Sequence, residues 1–289
     1  MGRRYDTVTF LSDLGTRDER VGVVKAVLRD LAAHATVLDL THDVAPFDVR
    51  AGGLALARAV PYLPSGVVLA AVDPGAGTAR RAVAIEVADG EGVFVGPDNG
   101  LLAPAVAMAG GAQRCVELVV ADFHLESPGL TFAARDVFAP VAAHLCNGVD
   151  LAELGPAVEA DLLMPGVVPL PRDEAGALVC EVLSVDRFGN CQLNVGPHEI
   201  EHLGAPLRIS AGDPAAPTVR VAALVRAFGD AGVGAVGLLT DASGMVSLVL
   251  DRRSAADELA ITVGDQVTLS SLDGDERPGV TSPVTLRRP

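Results

Sequence analysis

Apolar and polar positions along this chain follow two different rhythms, and the change between them divides it. In the first half, residues 7–11, 36–40, 67–72, 82–87 and 93–95 are apolar runs of strand length. Residues 18–33 and 49–60 instead space their apolar side chains by three and four, as one face of a helix does. The first stripe is Val21, Val24, Val27, Leu28 and Leu31, and Pro61 stops the second. Residues 99–109 and 135–146 read as further helices. Strands alternating with helices predict an α/β domain with a mostly parallel sheet covered on both faces.

Later in the chain the helical rhythm fades. Short β-like runs at 178–185, 206–210, 219–225, 235–239, 245–250 and 267–269 are separated by turn residues, which predicts a small β-sandwich or barrel. Between the two regimes, Pro165, Pro169 and Pro171 fall within seven residues, a density that neither a helix nor a central strand tolerates. The expected organisation is an α/β domain at 1–164, a Pro-rich linker at 165–176 and a smaller all-β domain at 177–289.

Composition sharpens this picture further. Apolar residues make up 49% of the 289 positions but aromatic ones only 3%, so the cores must be built of Val, Leu and Ala. No apolar run approaches the roughly 18 residues of a membrane span, and Met1-Gly2-Arg3-Arg4 leads straight into a strand without a signal-peptide core, so a cytoplasmic protein is expected. The formal charge of −15 would repel nucleic-acid phosphates, so no nucleic-acid partner is expected. Cys115, Cys146, Cys180 and Cys191 lack paired spacing and sit among apolar neighbours, which predicts buried free thiols. The six histidines show no metal-ligand spacing, and no metal is expected.

The richest chemistry lies where the run Val67–Val72 empties into Asp73-Pro74-Gly75-Ala76-Gly77, with Arg80 seven residues after the carboxylate. In open α/β sheets ligands sit outside the carboxyl ends of strands, where such a pair can orient and polarise a water; across a turn it is also a common structural ion pair. Asp13, in Ser12-Asp13-Leu14-Gly15, either holds a ribose diol or caps the following helix. In Thr41-His42-Asp43 and Pro46-Phe47-Asp48, Phe47 either stacks on a ligand or plugs the core, and His42 is expected to bond within its own turn. Gly96 to Leu102 forms a Gly-rich strand-to-helix turn whose amides suit an anion, and Arg135-Asp136 after Thr131-Phe132 reads as structural. In Asp186-Arg187-Phe188-Gly189-Asn190, the Asn190 amide offers the donor and acceptor an adenine edge requires, though in a turn it is more often left-handed. P-loop, G-x-S-x-G and H-E-x-x-H motifs are absent.

In their order and spacing these segments resemble the S-adenosyl-L-methionine hydroxide adenosyltransferases, relatives of the fluorinase and chlorinase enzymes. The resemblance spans nearly the whole chain and implies an N-terminal α/β domain, a C-terminal β-barrel and a homotrimer with active sites between subunits. It also implies hydrolysis of S-adenosylmethionine to adenosine and methionine by attack of water or hydroxide on the ribose 5′ carbon, with no cofactor. Carried over by position, Asp73 and Arg80 would set the nucleophile, Asp13 the ribose hydroxyls, and Phe47 and Phe132 the pocket walls. From the neighbouring subunit, Asp186 would meet the methionine amino group, Phe188 flank the base and Asn190 read its edge.

One departure stands out: the hydroxide-using enzymes carry His after the Thr-Phe pair, where this chain has Ala133, followed by Ala134. Hydrolysis with Asp73 and Arg80 alone is the expected activity. The alternatives are halide transfer of the chlorinase type, which an anionic Asp73 would oppose, and binding of S-adenosylmethionine or adenosine without turnover.

Overall fold

Strand β3 (Gly66–Ala71) is apolar at every position because both of its faces are covered. Its Val67, Leu69 and Ala71 enter one core, while Val68 and Ala70 enter another on the opposite side. This strand lies inside a six-stranded sheet, in a computed structural model that describes residues 2–212 and 216–272.

The other strands are β1 (Thr7–Ser12), β2 (Thr36–Thr41), β4 (Ala82–Val87), β5 (Gly92–Pro97) and β6 (Arg114–Glu117), in the order β2-β1-β3-β5-β4-β6. Strands β2, β1, β3 and β5 pair in parallel, whereas β4 runs antiparallel to both β5 and β6. The sheet is therefore mostly parallel, with an antiparallel edge.

Helices α1 (Arg20–Leu31) and α4 (Ala139–Cys146) cover the first core, and α2 (Val49–Ala59) and α3 (Ala103–Met108) the second. In α1, Val21, Val24 and Leu28 form the buried stripe that the periodicity predicts. The Asp48 carboxylate caps α2 by accepting from the Ala51 amide at 2.8 Å. Two expected helices start differently. α3 begins four residues later than the apolar pattern implies, because Asn99 to Leu102 form a turn. The expected helix at 135–146 opens as a π-helical turn (Ala134–Phe138) before α4.

The chain divides between Val168 and Pro169. In the second unit β8 (Ala177–Val185), β9 (Cys191–Leu193), β10 (Leu207–Ala211), β11 (Thr218–Val225), β12 (Val236–Thr240), β13 (Val246–Val249) and β14 (Gln266–Ser271) close into a seven-stranded barrel through the β14–β8 pairing. Its interior is filled by side chains such as Val182, Leu193, Leu207, Ile209, Leu248 and Leu269. Closure leaves no free edge on those strands. Part of the expected linker is itself ordered: β7 (Arg172–Glu174) pairs with β8 through a tight turn at Ala175 and Gly176. Residues 273–289 of the expected all-β domain lie outside the described residues.

Candidate active site

Because β1, β2, β3 and β5 are parallel, their carboxyl ends share one edge of the sheet. Antiparallel β4 begins at that same edge, so the segment leaving β3 and the segment entering β4 meet there. This places Asp73 against Arg80, whose Nη2 donates to Asp73 Oδ2. The guanidinium also donates through Nη1 to the Arg81 carbonyl and lies 5.7 Å from the ring centroid of Phe138, within cation–π range. Two polar atoms of the pair, Asp73 Oδ1 and Arg80 Nε, are buried without a hydrogen-bond partner. A buried acceptor and a buried donor left over on one ion pair are groups that a small polar molecule can satisfy.

Burial pushes the Asp73 carboxyl above its ordinary range, opposed by the Arg80 charge and by the Gly75 amide, and the neighbouring Asp13 charge pushes it further up. Asp13 itself is not a helix cap, since Glu19 precedes α1 and supplies no side-chain bond. Its Oδ2 instead accepts the Phe47 amide at 2.9 Å, tying the loop after β1 to the loop after β2. Phe47 holds a φ of 69°, unusual for a residue with a side chain, and is 71% exposed, so it is no core plug. His42 bonds Asp39 within its own turn, as expected, and also Ser12 Oγ.

Phe132 lies 5.1 Å from the Arg135 guanidinium and lines a hollow of about 450 Å³ with Leu14, Arg20, Ser127 and Thr131. Arg135 and the buried Asp136 form the expected structural pair, Nε to Oδ1 at 2.5 Å. Ala133 is half-buried and Ala134 buried, directly after Phe132. The nearby His124 has a buried Nε2 without a partner, and burial holds its pKa below the usual imidazole value.

In the barrel unit, Asp186, Phe188 and Asn190 share one turn. Asp186 Oδ1 accepts the amides of Phe188 and Asn190 at 2.8 and 2.9 Å, and its Oδ2 accepts from Asn190 Nδ2 at 2.7 Å. The left-handed residue of the turn is Gly189 rather than Asn190. Phe188 and Asn190 line a pocket of about 470 Å³ with Phe228, Leu250 and Asp251 to Ser254. Phe228 is a wall that sequence reasoning missed, although a half-exposed Phe in so aromatic-poor a chain carries the same signal as Phe47.

Among the described residues no cluster of His, Cys, Asp or Glu could hold a metal ion, and no helix is long and apolar enough to cross a membrane. All four cysteines are buried and free.

Comparison with known proteins bears on this geometry. A hydrolase of Salinispora tropica named for (R)-S-adenosyl-L-methionine is 44% identical over 264 residues, covering 91% of this chain and 97% of that one. A fluorinase of Actinoplanes sp. is more distant, 28% identical over 68% of this chain and 74% of its own. The crystal structure of an uncharacterized conserved protein from Thermotoga maritima superposes with a TM-score of 0.82 at 31% identity, covering 91% of this chain and 99% of that one. Residues 8–155 match the SAM hydroxide adenosyltransferase N-terminal domain and residues 180–268 its C-terminal domain, so the chain belongs to the SAM hydroxide adenosyltransferase family.

Proposed function

We propose that this protein hydrolyses S-adenosylmethionine to adenosine and methionine. The observation that carries the reading is the Asp73–Arg80 pair, set just beyond the end of β3, with one buried acceptor and one buried donor left unpartnered. A water held there attacks the ribose 5′ carbon as the carbon–sulfur bond breaks, and sulfur leaves with the bonding electrons as the thioether of methionine. The water loses one proton, which Asp73 accepts and passes to solvent. A sulfonium leaves without protonation, so the protein needs only an aligned water and exclusion of competing solvent. Arg80 stabilises developing hydroxide charge.

The remaining groups divide the substrate between them. Asp13 holds the ribose hydroxyls, and Phe47 and Phe132 wall the pocket. From the neighbouring subunit, Asp186 meets the methionine amino group, Phe188 flanks the base and Asn190 reads its edge. S-adenosylmethionine is thus a substrate and not a cofactor. The name of the Salinispora relative favours the (R) sulfonium epimer for this chain too. A homotrimer with active sites between subunits suits the 71% exposure of both Phe47 and Phe188, and buried free thiols suit the cytoplasm.

Chromatographic product analysis with each sulfonium epimer, in halide-free buffer and in chloride, tests the reading. Adenosine and methionine in both buffers are expected. A chlorinated nucleoside formed only with chloride would replace hydrolysis with halide transfer, and tight binding without turnover would leave a binding protein.

A further inference from the structure

We infer that the Asp98–Asn99 turn is a positioning element that sets both members of the Asp73–Arg80 pair through their backbones. The inference rests on the reading of that pair as the water-handling groups. Strand β5 lies between β3 and β4 in the sheet, so the turn at its end sits beside both the exit of β3 and the entry of β4. The two side chains of the turn serve one neighbour each.

Asn99 Nδ2 donates to the Val72 carbonyl at 3.0 Å, one residue before Asp73, while Asn99 Oδ1 accepts the Leu101 amide at 3.1 Å. The carboxamide is held at both ends, and its two partners fix which end is oxygen. Asp98 does the corresponding work for Arg80. Its Oδ2 accepts from Arg81 Nε at 2.9 Å, its Oδ1 accepts the Met164 amide at 2.7 Å, and its own amide donates to the Arg81 carbonyl at 2.9 Å. That same carbonyl receives Arg80 Nη1. Asp98 therefore anchors the oxygen that, with Asp73, holds the Arg80 guanidinium.

The turn itself has little freedom. Gly100 sits at a φ of +91°, and a Cβ there would come within 2.7 Å of the Pro165 carbonyl oxygen. A rigid turn carrying the buried Asp98 and half-buried Asn99 side chains transmits its position to the groups they grip. The Asp98 and Asn99 side chains make no hydrogen bond to those of Asp73 or Arg80, so they act on the reaction by placement alone.

Steady-state kinetics of Asn99→Ala and Asp98→Asn, with Asp73→Asn and the double variant Asn99→Ala/Asp73→Asn, test this. Misplacement predicts a kcat lowered by roughly 10- to 100-fold with KM changed by less than about threefold. In the double variant, Asn99→Ala lowers the residual rate no further, because the group it places is gone; a general folding defect would lower it again. A kcat in Asn99→Ala within about twofold of the parent, with Asp73→Asn reduced to its residual rate, overturns the positioning role alone. Full turnover in Asp73→Asn overturns the reading of the pair and the positioning role with it. Should Asn99→Ala not fold, Asp98→Asn combined with Arg80→Gln carries the same non-additivity test from the other side.

Discussion

Ser12 Oγ and His42 Nδ1 lie 2.8 Å apart, joining the ends of β1 and β2 in the interior of the α/β unit. Ser12 is fully buried and His42 nearly so, and the far ring nitrogen of His42 pairs with Asp39, which in turn pairs with Lys25. His42→Ala would leave the buried hydroxyl with only the long contact from the Leu14 amide at 3.4 Å, at a cost of about 1–3 kcal/mol. Urea denaturation should show that loss in His42→Ala, and less than the summed single losses in Ser12→Ala/His42→Ala.

Activity should fail on the acid side at a higher pH than an ordinary aspartate explains. Burial raises the Asp73 pKa, and the proposed role needs the carboxylate ionised. The rate is then complete well above that pKa and falls as the pH drops through it, at a value above the usual ~3.9 of Asp. The kcat–pH profile checks this, and an acid limb at or below the ordinary value would remove Asp73 from the rate-limiting ionisation.

Ala133→His should raise turnover with little change in KM. Position 133 is half-buried just before the π-helical turn, next to the proposed pocket wall Phe132. A well-placed base or water-orienting group is worth about 10²- to 10⁴-fold, so even a poorly aligned imidazole should give several-fold. Steady-state rates settle it; an unchanged kcat in a folded variant would show that the missing histidine is not the deficit.

The barrel pocket should affect binding more than chemistry. Phe188→Ala and Phe228→Ala each remove an aromatic wall from one cavity, far along the proposed substrate from the breaking bond. KM should rise by roughly tenfold with kcat changed much less. Equal losses in kcat and kcat/KM would assign these rings to the transition state instead.

Acid should also weaken the fold itself. Burial lowers the pKa of His124 and of His144, so the unfolded chain binds more protons than the folded one below the unfolded value of about 6.5. Their contribution is intact above that pH and is lost as pH falls through the folded values. Denaturation midpoints between pH 7.5 and 5 should show the decline, and His144→Gln should flatten it.

The middle of the sheet was legible in the sequence because β3 is buried on both faces, which leaves the unbroken apolar run Val67 to Val72, whereas the largely exposed β2 showed itself only by its short apolar spacing. Strand β6, with its exposed Arg114, the wholly polar β7 and the three-residue β9 left no such trace. The start of α3 was misread because Leu101 and Leu102 continue the helical pattern while Asn99 spends its side chain on Val72. At the candidate site, Asp73 and Arg80 could be paired because only a short loop separates them. The grip of Asp98 on Arg81 and of Asn99 on Val72 depends on strand order, which no local spacing reveals.

Between Asp73 and Arg80 the chain arches over the end of β5 in a loop that belongs to no strand. Lengthening such a loop is thermodynamically mild, about 0.6 kcal/mol for a doubling. The sheet therefore acts as a fixed abutment and the arch as an adjustable span. With Asp98 and Asn99 gripping both footings, insertions between Pro74 and Thr78 should lengthen the span while carboxylate and guanidinium stay where they are.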